Sequence, residues 1–170
     1  IVVLSSIADE GLAVRSVQQG AQDFLVKGHV DAHQLTRSLR YAIERKRTEE
    51  RLNHLAHYDS LTGLSNRKHF YDTLKNSIAL ARRHETKLAL LLLDLNGFKS
   101  INDTLGHYVG DLLLQGVALR LRECMRETDC VARIGGDEFT LILTDIYDEE
   151  DAATAASKII DAVRPPFLID

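Results

Sequence analysis

The aliphatic run at positions 88–93 constrains the fold of this chain more than any other feature. A membrane-spanning helix needs about 20 apolar residues, and no run in the sequence approaches that length. A short continuous apolar run instead predicts a strand, here over 87–93, that is buried on both faces and is central in a sheet. Asp94 follows directly, so the strand presents a carboxylate at its end.

A hairpin is predicted further along the chain. Two short apolar segments, 130–134 and 139–143, flank the pair Gly135-Gly136. Glycine readily adopts the backbone conformations of tight turns, so we expect two antiparallel strands joined at the diglycine. Helices and strands alternate, which indicates an α/β or α+β fold. Helices are predicted over 67–84, 98–105, from the end of a turn at 106–111 to about 126, and over 151–163.

A long helix is predicted from Asp31 to about residue 56, because neither Gly nor Pro occurs between Val30 and Leu61. Its middle is nearly all charged with both signs interspersed, which is typical of a solvated helix with ion pairs one turn apart. Its apolar flanks also suit a two-stranded coiled coil between domains. We expect a parallel homodimer to form through this helix.

The composition excludes some classes of function. Of the 170 residues, 45% are hydrophobic and 27% are charged, which is ordinary for a globular chain with a real core. A net charge of -4 gives no reason to expect a nucleic-acid partner, and a polyanionic ligand would need local cations, a helix N-terminus or a metal. Cys124 and Cys130 lack the spacing of a zinc site, and we expect them to be reduced and half-buried, which fits a cytoplasmic protein.

Three acidic residues follow apolar strands, namely Asp94, Asp137 and Glu138. Crowded carboxylates are costly unless a cation or a proton relieves their repulsion, although a single one is commonly an exposed turn residue. Mg²⁺ usually binds one or two carboxylates together with substrate phosphates, so we expect a divalent metal here. Gly135 and Gly136 let a ligand approach the backbone closely, and a plain hairpin turn is the alternative explanation.

Three polar residues downstream of Asp94 suit a nucleotide. Lys99 begins a predicted helix, and a cation near a metal suits a triphosphate, although a lone lysine is usually solvated. Asn102 and Asp111 offer an amide and a carboxylate. A carboxylate can accept hydrogen bonds from N1 and the 2-amino group of guanine, and adenine lacks these donors. Taken singly, helix capping and turn formation also explain these two residues.

The sequence RIGGDEF at 133–139 resembles the GGDEF signature of diguanylate cyclases. Further segments resemble that family's other motifs in the same order: DSLTGLSNR at 59–67, LDLNGFKSIND at 93–103 and GHYVGD at 106–111. The resemblance extends over roughly 57–170. It implies a palm-like nucleotide-cyclase sheet flanked by helices. It also implies an enzyme that condenses two GTP into cyclic di-GMP and pyrophosphate, active as a homodimer with two facing sites.

The resemblance also implies roles for the site residues. Carboxylates and a carbonyl would hold Mg²⁺ or Mn²⁺, a carboxylate would act as or support the general base toward the attacking 3′-hydroxyl, and a lysine would stabilise phosphate charge. The implied metal ligands are Asp94, Asp137 and the carbonyl of Leu95. The implied catalytic residues are Asp137, Glu138 and Lys99, and the implied substrate-binding residues are Asn102, His107, Asp111, Gly135 and Gly136.

A second ligand site is implied by Arg126 and Asp129, which match the family's RxxD pattern for inhibitory product binding. A surface ion pair is the alternative explanation. Asn96 stands where many relatives have a second acid, so we do not count it among the metal ligands. Relatives continue past a segment like 165–167 into a further central strand and a helix with phosphate-contacting Lys and Arg. Without these elements, we expect residues 1–170 to be weakly active or inactive.

The amino-terminal part resembles the last two strand–helix units of a response-regulator receiver domain, which has a flavodoxin-like fold. Strands are predicted at 1–5, where the strand is expected to be buried, and at 24–26, and a helix over 8–19 ends at Gly20. The phospho-accepting aspartate would lie upstream. The matching residues are Ser5 at the hydroxyl switch, Phe24 at the aromatic switch and Lys27-Gly28 at the lysine turn.

We therefore expect a receiver fragment at 1–47, a helical linker at 48–58 and a truncated GGDEF domain at 59–170, in a two-component-type signalling protein. Two other functions stay open. A GGDEF domain without catalysis would sense cyclic di-GMP through Arg126 and Asp129, although a pure receptor need not keep the hairpin acids. A different nucleotide cyclase or polymerase palm would share the sheet and the acids, but not the guanine pair and the RxxD site.

Overall fold

The computed structural model describes residues 1–169, and the chain divides into two units, Ile1–His54 and Leu55–Asp170. The first unit contains strand β1 (Val2–Ser5), helix α1 (Glu10–Gln18) and strand β2 (Asp23–Val26). The two strands are parallel and in register along their whole length. This unit is therefore built around a strand–helix–strand arrangement.

Local interactions explain where the elements of the first unit begin. The side chain of Asp9 accepts a hydrogen bond from the amide of Leu12 at 2.9 Å and so caps the start of α1. The long helix α2 (Ala32–His57) is continuous, as its lack of Gly and Pro predicts. The prediction that the first strand is buried is wrong, because Leu4 is 46% exposed.

The second unit has a three-stranded antiparallel sheet with helices around it. The predicted helix at 67–84 and the predicted diglycine hairpin are both confirmed. The elements are α3 (Arg67–His84), β3 (Lys87–Asp94), α4 (Phe98–Leu105), α5 (His107–Cys124), β4 (Cys130–Gly135), β5 (Glu138–Ile146) and α6 (Glu149–Val163).

The order of the strands is β3-β5-β4, so β5 is the central strand of the described residues. The prediction that the aliphatic strand is central is therefore wrong for residues 1–169. Strand β3 lies at an edge, where Leu90 and Leu92 are 44% and 79% exposed. The aliphatic run does form a strand, but apolar content alone did not identify its position in the sheet.

Two hydrophobic clusters cover the faces of the central strand. Side chains of α5, β5 and α6 form the larger cluster, which includes Leu114, Leu121 and Phe139. Phe70 of α3 packs with Ala132 and Ile142 in the smaller cluster. Successive residues of a strand point to opposite faces, so β5 supplies both clusters and is held firmly between them. This fixes the hairpin that carries the acidic residues.

The predicted turn at 106–111 is wrong, because helix α5 already begins at His107. Gly106 alone joins the two helices, with a φ of 88° that favours glycine.

The two cysteines and the helices agree with the composition. Cys124 and Cys130 are free and half-buried as expected, and burial raises the pKa of both thiols. None of the helices within residues 1–169 combines the length and the apolar character that crossing a membrane requires.

Candidate active site

The acidic residues lie at one end of the sheet. In the β3–β5 pair Leu93 lies opposite Phe139, and Asp94 lies opposite Glu138. Asp137 lies in the turn between β4 and β5. Residues directly opposite in an antiparallel pair have Cβ atoms about 5 Å apart, so Asp94 and Glu138 are neighbours. Register thus brings together acids that are far apart in the sequence.

The diglycine turn has a backbone that only glycine adopts easily. Gly135 has a φ of 155° and Gly136 a φ of 55°. A Cβ atom added at either position would meet nothing within 4 Å. The backbone conformation therefore requires these glycines, and the space beside the turn is open to a ligand.

The side chain of Arg133 holds this turn in place through hydrogen bonds. Its Nε and Nη2 donate hydrogen bonds to the carbonyl oxygen of Gly136 at 2.9 and 2.7 Å. Its Nη1 donates to the carboxylate of Asp59 at 3.1 Å. Asp59 also accepts from the amide and the hydroxyl of Thr62, at 2.9 and 2.6 Å. A single guanidinium therefore joins the loop that follows α2 to the turn that carries Asp137.

Asp59 and Arg133 both lie within the GGDEF-like motifs of the sequence, but neither residue was predicted to have a role. The opposite charges of these two side chains, in two motifs of one domain, could have suggested that they form an ion pair. Burial raises the pKa of Asp59, but the hydrogen bonds from Thr62 and the adjacent Arg133 outweigh it, so the pKa lies below its ordinary value. Asp59 is therefore stabilised in its charged form.

Lys99 lies in the first turn of α4, five residues after Asp94, and is exposed. The loop between them is closed by a hydrogen bond from the amide of Phe98 to the carbonyl of Leu95 at 3.1 Å. A carbonyl oxygen has two lone pairs, so Leu95 keeps one for another partner. The loop thus holds a carbonyl and a cation close in sequence to Asp94.

The predicted guanine-reading residues lie on two neighbouring helices. Asn102 is on α4 and Asp111 is near the start of α5, where His107 is the first residue. Both Asp111 and His107 are exposed. The Oδ1 atom of Asn102 is buried and has no hydrogen-bond partner among the described residues. A buried amide oxygen that accepts no hydrogen bond lowers the stability of the folded state, so the position of this atom needs an explanation.

The carboxylates do not form a closed metal cage. Within residues 1–169, no group of three or more His, Cys, Asp or Glu side chains converges as a metal site. Mg²⁺ commonly binds one or two carboxylates and completes its shell with water and substrate phosphates. Asp94, Asp137 and the Leu95 carbonyl are hard oxygen donors of this kind, so the donor set fits a shared protein–substrate metal site.

The RxxD segment follows helix α5. Arg126 is exposed, whereas both oxygens of the Asp129 carboxylate accept hydrogen bonds from backbone amides. These donors are the amide of Arg126 at 3.2 Å and the amide of Thr144 at 3.1 Å. A cleft of about 200 Å³ beside the segment is lined by Arg126, Asp129 and Lys158, among others. Asp129 therefore has a structural role that sequence reasoning missed.

The sequence model described as "Diguanylate cyclase, GGDEF domain" matches residues 56–170. Because this match covers well over half of the chain, the chain belongs to the GGDEF domain family of diguanylate cyclases. The predicted resemblance to that family is confirmed, and so is a mixed α/β fold with a small sheet.

Known relatives agree with this assignment. The chain is 44% identical over 118 residues to the diguanylate cyclase TpbB of Pseudomonas aeruginosa, which covers 69% of this chain and 27% of TpbB. It resembles the solved GGDEF domain of TpbB with a TM-score of 0.63 and 43% identity, over 65% of this chain and 64% of that one.

A second solved structure is the coiled coil and GGDEF domain of DgcB from Caulobacter crescentus in complex with cyclic di-GMP. Its TM-score is 0.67 at 31% identity, over 76% of this chain and 68% of that one. By contrast, the chain spans only about a quarter of the full length of TpbB.

Proposed function

We propose that this protein is a diguanylate cyclase that condenses two GTP into cyclic di-GMP and pyrophosphate. The observation that carries the proposal is the register of Asp94 opposite Glu138, beside the open diglycine turn with Asp137. This arrangement supports binding of a nucleoside triphosphate and a cation at the end of the sheet. Family membership and the identity to TpbB point to the same reaction.

The proposed metal is Mg²⁺ or Mn²⁺, with Asp94, Asp137 and the Leu95 carbonyl as its protein ligands. When bound, such an ion would neutralise negative charge on the phosphates. Lys99 would add a positive charge near the same phosphates. Gly135 and Gly136 leave room for the nucleotide, since no atom outside the adjoining residues of the turn lies within 4 Å of where their side chains would begin.

The proposed chemistry is an in-line substitution at phosphorus. The 3′-hydroxyl oxygen of one GTP attacks the α-phosphorus of the other, and a new phosphorus–oxygen bond forms. The bond from that phosphorus to the oxygen bridging toward the β-phosphate breaks, and pyrophosphate leaves. Glu138 or Asp137 accepts the hydroxyl proton or supports its transfer. A second step with exchanged roles closes the ring.

Guanine recognition is proposed for Asn102 and Asp111, with His107 in the same segment. The position of Asn102 supports this role, because its amide packs against Gly110, which directly precedes Asp111, and guanine carries N1–H and 2-amino donors that adenine lacks. The exposed carboxylate of Asp111, on the adjacent helix, can accept hydrogen bonds from these donors.

A homodimer is proposed because each domain supplies one GTP. Helix α2 supports it, since it exposes apolar side chains at Leu39, Ile43, Leu52 and Leu55, which are 43% to 62% exposed. Such residues are suited to a coiled-coil partner.

A receiver-domain origin is proposed for residues 1–47. The strand–helix–strand arrangement of residues 2–26 supports it. The amide of Lys27 also donates a hydrogen bond to the carbonyl oxygen of Ser5 at 2.7 Å, which joins the predicted lysine turn to the end of the first strand.

Product inhibition at Arg126 and Asp129 is proposed as a second property. Arg126 is exposed and suited to phosphate or to stacking on guanine. The alternative function, a cyclic di-GMP receptor without catalysis, rests on the same two residues. The arrangement of Asp94, Asp137 and Glu138 favours the enzyme, because a receptor needs no carboxylates beside the open diglycine turn.

Calorimetry with a non-hydrolysable GTP analogue tests the proposal. We expect binding to require both Mg²⁺ and Asp94, so that Asp94→Ala abolishes it. Asp72→Ala is the matched control, since Asp72 is an exposed acid in the middle of α3. If only cyclic di-GMP binds and Asp94→Ala changes nothing, the receptor is the correct function.

A further inference from the structure

We infer that Gly110 is a positioning residue for guanine recognition, because the absence of a side chain at this position leaves the space that the Asn102 amide occupies. The inference rests on the proposed function, in which Asn102 contacts guanine. Gly110 is buried on α5, and its backbone is helical, so the chain conformation does not require glycine there. The reason for this glycine must therefore be space.

The space beside Gly110 is filled by α4. A Cβ atom on Gly110 would overlap the Oδ1 atom of Asn102, and it would lie 3.0 Å from the Cγ atom of the same side chain. It would also lie 3.3 Å from Cζ of Phe98. Even the smallest side chain at position 110 would therefore displace the Asn102 amide.

The displaced group is the one that the proposed function needs. Oδ1 of Asn102 is a buried acceptor without a donor in the described residues. Asp111 directly follows Gly110, so contact at Gly110 sets where the Asn102 amide lies relative to the Asp111 carboxylate. Moving the amide would change its distance from the Asp111 carboxylate, and both groups must contact the same guanine. Binding of ATP should not be affected, because adenine lacks the N1–H and 2-amino donors that distinguish guanine.

The same helix offers a matched control. Gly116 also lies on α5 and also lacks room for a side chain, but its Cβ would meet Phe167 at 2.9 Å and no atom of α4. Glycine is a poor helix former, so alanine at either position gains the same helix propensity. The two substitutions differ in which neighbour they displace.

The experiment measures the affinities of a non-hydrolysable GTP analogue and of the matching ATP analogue, with Mg²⁺, by calorimetry. We expect Gly110→Ala to weaken the GTP analogue about tenfold, the size of one lost hydrogen bond to a buried group, and to leave the ATP analogue unchanged. Gly116→Ala should bind both analogues as the wild type does, whatever its melting temperature.

A double-mutant cycle tests whether Gly110 acts through Asn102. In an Asn102→Ala background the overlapping amide is gone, so Gly110→Ala should fold and should cause no further loss of GTP-analogue affinity. Wild-type affinity in Gly110→Ala, or an equal loss in both backgrounds, would overturn the inference. If the wild type itself does not bind the GTP analogue, the proposed function fails, and the inference fails with it.

Discussion

Arg133 and Asp59 form an ion pair at 3.1 Å between residues 74 positions apart in the sequence. Their side chains are only 13% and 23% exposed, whereas the Arg164–Asp161 pair is 72% and 65% exposed. The same guanidinium also donates two hydrogen bonds to the carbonyl of Gly136. The pair therefore connects the first loop of the GGDEF domain to the turn that carries its acids.

The first prediction concerns the strength of this connection. Arg133→Met removes the ion pair and both hydrogen bonds to Gly136, and it leaves a partly buried carboxylate without its cation. We expect a loss of about 2 kcal/mol in the free energy of unfolding, measured with urea. Arg164→Met is the control and should change it by less than about 0.5 kcal/mol, since exposed pairs contribute little. Equal effects of the two substitutions would contradict this account.

The second prediction follows from the lowered pKa of Asp59. Because the folded state holds this pKa below the ordinary value of 3.8, the charged form contributes stability above that pH. The contribution is lost as the pH falls from 3.8 through the folded-state pKa. Asp59→Asn should therefore be less stable than the wild type at pH 6, and the difference should shrink below about pH 4. A difference that stays constant from pH 6 to pH 3 would show that the charge is not responsible.

Some of the fold could be predicted because it depends on local pattern. Helix α3 and the diglycine hairpin follow from apolar spacing and from glycine at a tight turn. The position of β3 at the edge of the described sheet could not be predicted, because strand order depends on contacts between distant segments. The start of α5 at His107 was missed because a single glycine with a positive φ replaces the expected turn.

The candidate site shows the same division. The sequence predicted that the three acids lie close together at strand ends, but the register that places Asp94 opposite Glu138 is known only from the structure. The contact of Arg133 with Asp59 and the overlap at Gly110 could not be read from the sequence. They depend on side-chain directions and on helix packing, which motifs and periodicity do not contain.

The third prediction separates the two residues of the RxxD segment. Asp129→Ala removes the acceptor for two backbone amides, of Arg126 and Thr144, so it should lower the free energy of unfolding by about 1–2 kcal/mol. Arg126→Ala removes an exposed side chain and should leave stability nearly unchanged. Both variants should also bind cyclic di-GMP more weakly in calorimetry, as the proposed product site requires. Loss of stability in Arg126→Ala alone would contradict the assigned roles.

The fourth prediction concerns the repulsion between Asp94 and Glu138. Like charges directly opposite in an antiparallel pair are destabilising, so repulsion between these two carboxylates lowers the stability of the fold. A bound cation would reduce this repulsion. Without divalent metal, Asp94→Asn should raise the free energy of unfolding by about 0.5 kcal/mol. With Mg²⁺ and the GTP analogue, the wild type should gain stability by mass action, and Asp94→Asn should gain none. Asp72→Asn on α3 is the control and should behave as the wild type in both conditions. A variant at Asp94 that is less stable without metal would show that this carboxylate serves the fold rather than a cation.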